Sequence, residues 1–149
     1  MDVLTGLLYI NEQDVYAGYG AFLCEDKQGG HVNYSALLKP PPMKPYVAVD
    51  FREQDGEKLP QTLTPVFEAR EVNLQFAIQA PSKAIFLQRY MGFVQLLKSG
   101  WLRVYLPELN KTYRMYYVSC TEYTQLTPLD AEPVVGRFGV KFREPVPVI

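Results

Sequence analysis

The sequence has few of the residues from which catalytic and metal-binding sites are built. It contains one histidine, His31, and two cysteines, Cys24 and Cys120, among 149 residues. A zinc site needs several His or Cys ligands at defined spacings, and a catalytic dyad needs a Ser or Cys beside a histidine. Two cysteines are too few for a disulfide framework, so we expect two buried reduced thiols, with a pairing between them left open. The sequence therefore predicts a protein that is not an enzyme and has no cofactor and no metal.

The chain also lacks an excess of charge and lacks long apolar runs. Fifteen Lys and Arg face 16 Asp and Glu, for a net charge of −1, whereas general nucleic-acid-binding proteins carry a basic excess. No stretch approaches the length of a membrane span, and the first residues have no basic segment of the signal-peptide kind. We therefore expect no membrane contact, a cytoplasmic protein before any assembly, and a single domain over residues 1–149.

Aromatic residues are abundant. Eleven Tyr, eight Phe and one Trp are more than a core of this size requires, and Tyr is enriched where protein surfaces meet. Aromatic residues are also common in strands for packing reasons alone. The composition indicates an interaction surface without locating it.

Hydrophobic periodicity predicts mainly β structure with one long helix. Residues 69–80 alternate between apolar and polar, which is typical of a strand with one buried face. Ser82 can cap a helix, and apolar residues then recur at helical spacing, which predicts a helix at about 82–99. Further strands are predicted at 101–106, 112–124 and 134–143. The fold class is α+β, an antiparallel β-sandwich or barrel-like sheet flanked by the helix.

The N-terminal third is less regular. We predict a bent strand at 15–24, and a second strand at 31–38 that pairs with it through a turn at 26–30. Residues 39–45, KPPPMKP, form a stiff Pro-rich crossover because proline fixes φ and removes backbone donors. Residues 52–65 form a long exposed loop, and loops of that length are usually functional or disordered.

The last two strands supply the candidate contact residues. Neither face of the 112–124 strand is cleanly polar, which indicates that both faces are covered. The 134–143 strand has a basic face that could meet DNA phosphates in a channel, acids of a neighbouring subunit, or solvent. The predicted interface residues are Tyr113, Met115, Tyr116, Tyr117, Arg137, Lys141 and Arg143.

Four segments resemble the phage tail-tube and distal-tail protein family. They are LLYINEQDVYAGYGAFL near the start, NLQFAIQAPS before the helix, FLQRYMGFVQLLKSG as the helix, and WLRVYLPELNKTYRMYYVSCTEYTQL after it. Together they span most of the chain between Leu7 and Arg143. From this resemblance we expect the chain to correspond to the ring-forming N-terminal domain alone, without the outer domain that many distal tail proteins carry.

The resemblance implies a structural protein of a phage or prophage tail. It implies a homo-oligomeric ring of six copies that joins the tail tube to the baseplate hub, with DNA passing through the lumen only as cargo. Its partners would be itself, tail-tube proteins and baseplate hub proteins, and its location the virion tail. The alternative is a carbohydrate- or peptide-binding β-module that uses surface Tyr and Trp, such as Trp101 with Tyr105.

Overall fold

The computed structural model describes residues 5–24, 30–50 and 52–147. Within these ranges seven strands form one sheet in the order β2-β1-β5-β6-β7-β4-β3, with antiparallel neighbours. The elements are β1 Tyr9–Ile10, β2 Gln13–Asp14, α1 Val15–Tyr19, β3 Ala21–Leu23, α2 Val32–Leu38, β4 Arg70–Ala80, α3 Lys83–Leu97, β5 Leu102–Leu106, β6 Lys111–Gln125 and β7 Val134–Glu144. The sheet forms a half-barrel accompanied by helices, so the predicted mainly β, α+β class is confirmed in its barrel-like form.

The core lies between one face of the sheet and α3. Alternate residues of β4 and β7 point into it, because side chains on a strand alternate between its two faces. Phe76 of β4 is at the centre, with its ring centroid 5.3 Å from Phe93 of α3 and 5.9 Å from Phe138 of β7. The predicted helix is confirmed, and its buried residues are Phe86, Phe93 and Leu97. Ser82 caps it by accepting a hydrogen bond from the backbone N–H of Ile85 at 3.4 Å.

The bent strand predicted at 15–24 is wrong over its first half. The carboxylate of Asp14 accepts hydrogen bonds from the backbone N–H groups of Tyr16 (3.1 Å) and Ala17 (3.4 Å), and this cap starts the short helix α1. Gly20 ends α1 in the left-handed conformation at φ 64°. Only β3 remains extended, so the local cap at Asp14 prevails over the alternating aromatic pattern.

The strand predicted at 31–38 is also wrong, because these residues form α2. Leu37 of α2 is buried in the core, and Arg70 donates hydrogen bonds to the carbonyls of Leu37 (3.1 Å) and Lys39 (2.5 Å) at the helix end. Asn33 lies along the edge of β4, where its side-chain oxygen accepts from the N–H of Gln75 at 2.6 Å. These contacts come from distant parts of the chain and are invisible to local periodicity. The predicted turn at 26–30 lies outside the described residues apart from Gly30.

Candidate assembly surfaces

The second half of β6 is paired on one side only. Strand β5 pairs with β6 from Lys111 to Met115 and no further, whereas β7 pairs with β6 from Tyr116 to Gln125. In the described part of the chain no other strand lies along the outer side of Tyr116–Gln125, which we call the β6 extension. Its residues from Ser119 onwards are exposed. Such an edge has unpaired backbone N–H and C=O groups and can accept a strand from another chain.

The register of the β6 extension is interrupted twice. One extra residue of β6 lies between Tyr117 and Ser119, and another between Cys120 and Glu122. Bulges of this kind twist an edge and restrict regular pairing. A regular ladder of backbone hydrogen bonds with another strand is therefore possible only along Glu122–Gln125. Elsewhere on the extension a partner would contact side chains.

Aromatic rings continue from the core to the β6 extension. Tyr123 is 41 % exposed, and its ring centroid lies 5.5 Å from Tyr90 of α3 and 6.3 Å from Phe138 of β7. Its hydroxyl donates to the side-chain oxygen of Gln125 at 2.6 Å. Partial burial raises the pKa of both Tyr90 and Tyr123 above the ordinary tyrosine value. Exposed Leu87 and Met91 lie next to Tyr90 along α3, so an apolar surface joins the helix to the extension.

The sheet face opposite the core carries a second group of aromatic and cationic side chains on β5 and β6. We call this group the outer face, and its members are Trp101, Arg103, Tyr105, Arg114 and Tyr116. The guanidinium carbon of Arg114 lies 4.0 Å from the centre of the Trp101 ring, which is cation–π geometry, and Tyr116 meets that ring edge-on at 5.7 Å. Tyr105 and Arg103 border an open depression of about 660 Å³.

Two cations of the outer face lie directly opposite each other. Arg103 and Arg114 are cross-strand partners, an arrangement that costs stability because like charges repel. Arg103 reaches Glu12 at 3.6 Å, with both side chains well exposed. Arg114 forms no ion pair with a carboxylate among the described residues, and only the Trp101 ring offsets its charge.

The structure places the seven predicted interface residues in different environments, some in the core and some at the surface. Tyr113 and Met115 are 1 % and 0 % exposed and belong to the core, which corrects their assignment as contact residues. Their side of β6 faces the core, where the Tyr113 hydroxyl donates a hydrogen bond to the carbonyl of Leu37 in α2 at 3.5 Å. Tyr116 belongs to the outer face, whereas Tyr117 is half-buried and packs against the core.

The basic stripe of β7 is partly neutralised. Lys141 and Arg143 both approach the carboxylate of Glu71 on β4, at 3.4 and 3.6 Å. Arg137 lies further along the same face, near half-buried Cys24. Burial raises the pKa of the Cys24 thiol, and the positive charge of Arg137 acts in the opposite direction. Sequence reasoning missed Glu71 as the partner because that pairing depends on the register between β4 and β7.

The two cysteines are free and lie apart. Cys24 continues β3 alongside β4, where its N–H donates to the carbonyl of Gln75 at 2.9 Å, while Cys120 lies on β6 with β7 between. Three strand spacings of about 4.8 Å separate them by roughly 14 Å, whereas a disulfide needs Cα atoms within about 7 Å. Cys120 is exposed, so the expectation that both thiols are buried is wrong.

A third surface is formed by residues 42–50 and 52–68, which we call the arm. Its two branches are joined near the base by hydrogen bonds between Lys44 N–H and Val66 C=O (2.9 Å) and between Glu68 N–H and Pro42 C=O (2.7 Å). Near the tip Val49 and Lys58 exchange backbone hydrogen bonds of 2.8 and 2.6 Å. The predicted crossover and loop are thus parts of one two-branched excursion between α2 and β4, with residues 52–65 exposed.

Across residues 5–24, 30–50 and 52–147, His, Cys, Asp and Glu do not form a group of three or more that could hold a metal ion. The helices in these ranges include none with the length and apolar character needed to cross a membrane.

No protein-family model and no curated protein matches this sequence. Among solved structures, it is similar to the crystal structure of the Dit protein of phage SPP1, described as a paradigm of the hub adsorption apparatus in phages that infect Gram-positive bacteria. The TM-score is 0.56 at 12 % sequence identity, with 92 % of this chain and 48 % of the Dit chain covered. The likeness is one of fold. The chain spans about half the length of that Dit protein.

Proposed function

We propose that this chain is a structural protein of a phage or prophage tail that assembles with copies of itself into a ring. The β6 extension carries the proposal, because it is a ten-residue strand segment with one unpaired edge beside exposed aromatic and apolar side chains. The fold shared with a phage hub protein supports the same assignment. The ring joins the tail tube to the baseplate, and its subunit number is six by resemblance to distal tail proteins.

The distribution of the candidate surfaces favours a closed ring over a two-fold dimer. The β6 extension, the outer face and the arm are different surfaces on different parts of one chain. Contacts between unlike surfaces of identical chains are head-to-tail, and such contacts close into a ring when the rotation between neighbours allows it. In this proposal the partners above and below the ring are tail-tube and baseplate hub proteins. DNA passes through the lumen as cargo. The chain is synthesised in the host cytoplasm and then resides in the virion tail. It does no catalysis.

The test uses the backbone of the β6 extension. The N–H of Leu126 donates to Val135 of β7 at 3.0 Å, so the alternation of an antiparallel strand directs the backbone N–H of Gln125 to the open edge. Gln125→Pro removes that N–H without removing a backbone hydrogen bond to β7, although the side-chain bond from Gln125 Nε2 to the carbonyl of Val135 (3.4 Å) is lost. Gln125→Ala is the matched control, since it loses the same side chain and keeps the N–H.

We expect concentrated wild-type protein to form rings by native mass spectrometry and negative-stain microscopy, Gln125→Ala to do so nearly as well, and Gln125→Pro to assemble poorly. Wild-type protein that stays monomeric at every concentration, alone and with tail-tube protein, would contradict self-assembly. Equal assembly by the proline and alanine variants would show that the contact does not use this edge.

The outer face favours one other function, the binding of a carbohydrate or peptide. Trp101 is 51 % exposed and shares this face with Tyr105 and the adjoining depression. A glycan or peptide array that shows dose-dependent binding, abolished by Trp101→Ala, would support this function. Arg114 already covers one side of the Trp101 ring, which leaves less of the ring for a sugar to stack on.

A further inference from the structure

The arm exposes apolar side chains that this chain does not cover. Seven large apolar residues of the arm are at least 40 % exposed: Met43, Val47, Val49, Leu59, Leu63, Val66 and Phe67. A two-stranded ribbon is marginally stable in water unless it packs against something. Each branch is long enough to extend about 30 Å from the base, at about 3.3 Å per residue. We therefore expect the arm to pack on another molecule.

The tip of the arm is acidic. Residues 50–58 contain four carboxylates, those of Asp50, Glu53, Asp55 and Glu57, against two cations, Arg52 and Lys58. None of the four carboxylates forms an ion pair with another described residue. A surface that receives this tip should therefore offer positive charge together with apolar or aromatic area.

The outer face has both properties. It presents Arg103 and Arg114 side by side, and a carboxylate placed between them would relieve their mutual repulsion. The exposed ring of Trp101 and the half-buried ring of Tyr105 lie on the same face as these cations and can cover the apolar side chains of the arm. The arm leaves the sheet beside Arg70 of β4, three strands away from β5. Among the described residues, no carboxylate of the tip forms an ion pair with Arg103 or Arg114 of its own chain.

We infer that the arm of one copy lies across the outer face of the next copy, with its acidic tip against Arg103 and Arg114. This inference rests on the proposed self-assembly and specifies one of its contacts. The contact is head-to-tail, since each copy gives an arm on one side and receives one on the other, and it therefore suits a closed ring. Electrostatic pairing sets the register of the contact, and the apolar residues of the arm supply most of the buried area.

Charge reversal in both directions tests the pairing. The tip variant is Glu53→Lys/Asp55→Lys/Glu57→Lys, and the face variant is Arg103→Glu/Arg114→Glu. Each variant alone brings like charges together, so we expect the concentration needed for half-assembly to rise at least tenfold. In an equimolar mixture each tip meets an opposite charge on the other variant, and we expect alternating rings with an even number of subunits.

Two controls separate pairing from folding. All substituted side chains are exposed, so thermal unfolding followed by circular dichroism should give a melting temperature near that of wild type for both variants. Lys83→Glu, on the exposed first turn of α3, changes charge by the same amount as one face substitution and should leave assembly unchanged.

The outcomes distinguish this contact from self-assembly as such. Assembly lost in each variant and restored in the mixture supports the contact, with native mass spectrometry showing both chains in one ring. Assembly that persists in either variant, or that the mixture does not restore, overturns the contact while wild-type rings leave self-assembly standing. A wild-type chain that never assembles overturns both.

Discussion

Arg70 and Glu144 form an ion pair inside the core, with 2.6 Å between Arg70 Nε and Glu144 Oε1 and side chains only 6 % and 2 % exposed. They are cross-strand partners at the first residue of β4 and the last of β7. The remaining donors of Arg70 bind the carbonyls of Leu37 and Lys39. One guanidinium thus holds the end of α2, the edge of the sheet and the base of the arm together.

Removal of one partner of this pair should be strongly destabilising. Arg70→Met leaves the Glu144 carboxylate buried without its counter-charge, and we expect a loss of about 3–5 kcal/mol in the free energy of unfolding. Urea denaturation measures it. The double variant Arg70→Met/Glu144→Leu buries no charge and should recover part of the loss. A double variant less stable than Arg70→Met would contradict this account.

Phe93 should be among the most costly core residues to truncate. It is 0 % exposed and its ring packs against Phe76, Phe138 and Tyr19, so Phe93→Ala should lower the free energy of unfolding by about 3–5 kcal/mol. Met91 lies on the same helix but is 59 % exposed, and Met91→Ala should change stability by less than about 0.5 kcal/mol. Similar losses in the two variants, measured by urea denaturation, would show that α3 packs by another face.

Gly136 of β7 provides the space in which two aromatic side chains lie. A Cβ at this position would be 2.6 Å from the Tyr123 hydroxyl and 2.9 Å from Cζ of buried Phe86. We expect Gly136→Ala to cost about 1–3 kcal/mol through overpacking. Gly18 in α1 has nothing within 4 Å of its Cβ position, so Gly18→Ala should stabilise the protein by about 0.5–1 kcal/mol. Thermal melts of the two variants should shift in opposite directions.

Tyr34 should make stability depend on alkaline pH. Its hydroxyl donates a hydrogen bond to the Glu108 carboxylate, and burial together with this acceptor raises the pKa of Tyr34 to about 12. Because the folded pKa lies above the unfolded value of about 10, the folded state holds this proton longer. The contribution is complete below the unfolded pKa and is lost as pH rises through the folded pKa.

The measurement is urea denaturation of wild type and Tyr34→Phe across the alkaline range. The difference in stability between wild type and Tyr34→Phe should shrink as pH rises through this window, since the variant has no proton to lose at position 34. Other tyrosines titrate in both proteins and cancel in the comparison. A difference that does not change with pH would contradict the raised pKa.

Much of the sheet could be predicted from the sequence because its periodic segments are long. The alternation in β4 and β7 and the helical spacing from Phe86 to Leu97 each persist over ten or more residues. A periodic pattern of that length identifies the element type, because one face of the strand or helix is buried in the core along its whole length. The short elements α1 and α2 were not predictable in this way. Their conformations depend on the Asp14 cap and on Arg70, which acts from more than thirty residues away.

For the candidate surfaces, too, some features could be predicted from the sequence and others depended on the tertiary structure. The sequence by itself determined the pattern of the long strands from β4 onwards, the surplus of Tyr and the scarcity of catalytic residue types. The tertiary structure alone decided that Tyr113 is buried while Tyr123 is exposed on the same strand, because β5 ends opposite Met115 and leaves the rest of β6 with one neighbour. It also placed Arg103 opposite Arg114. Strand register joins residues far apart in the chain, and local periodicity carries no information about which strand lies alongside.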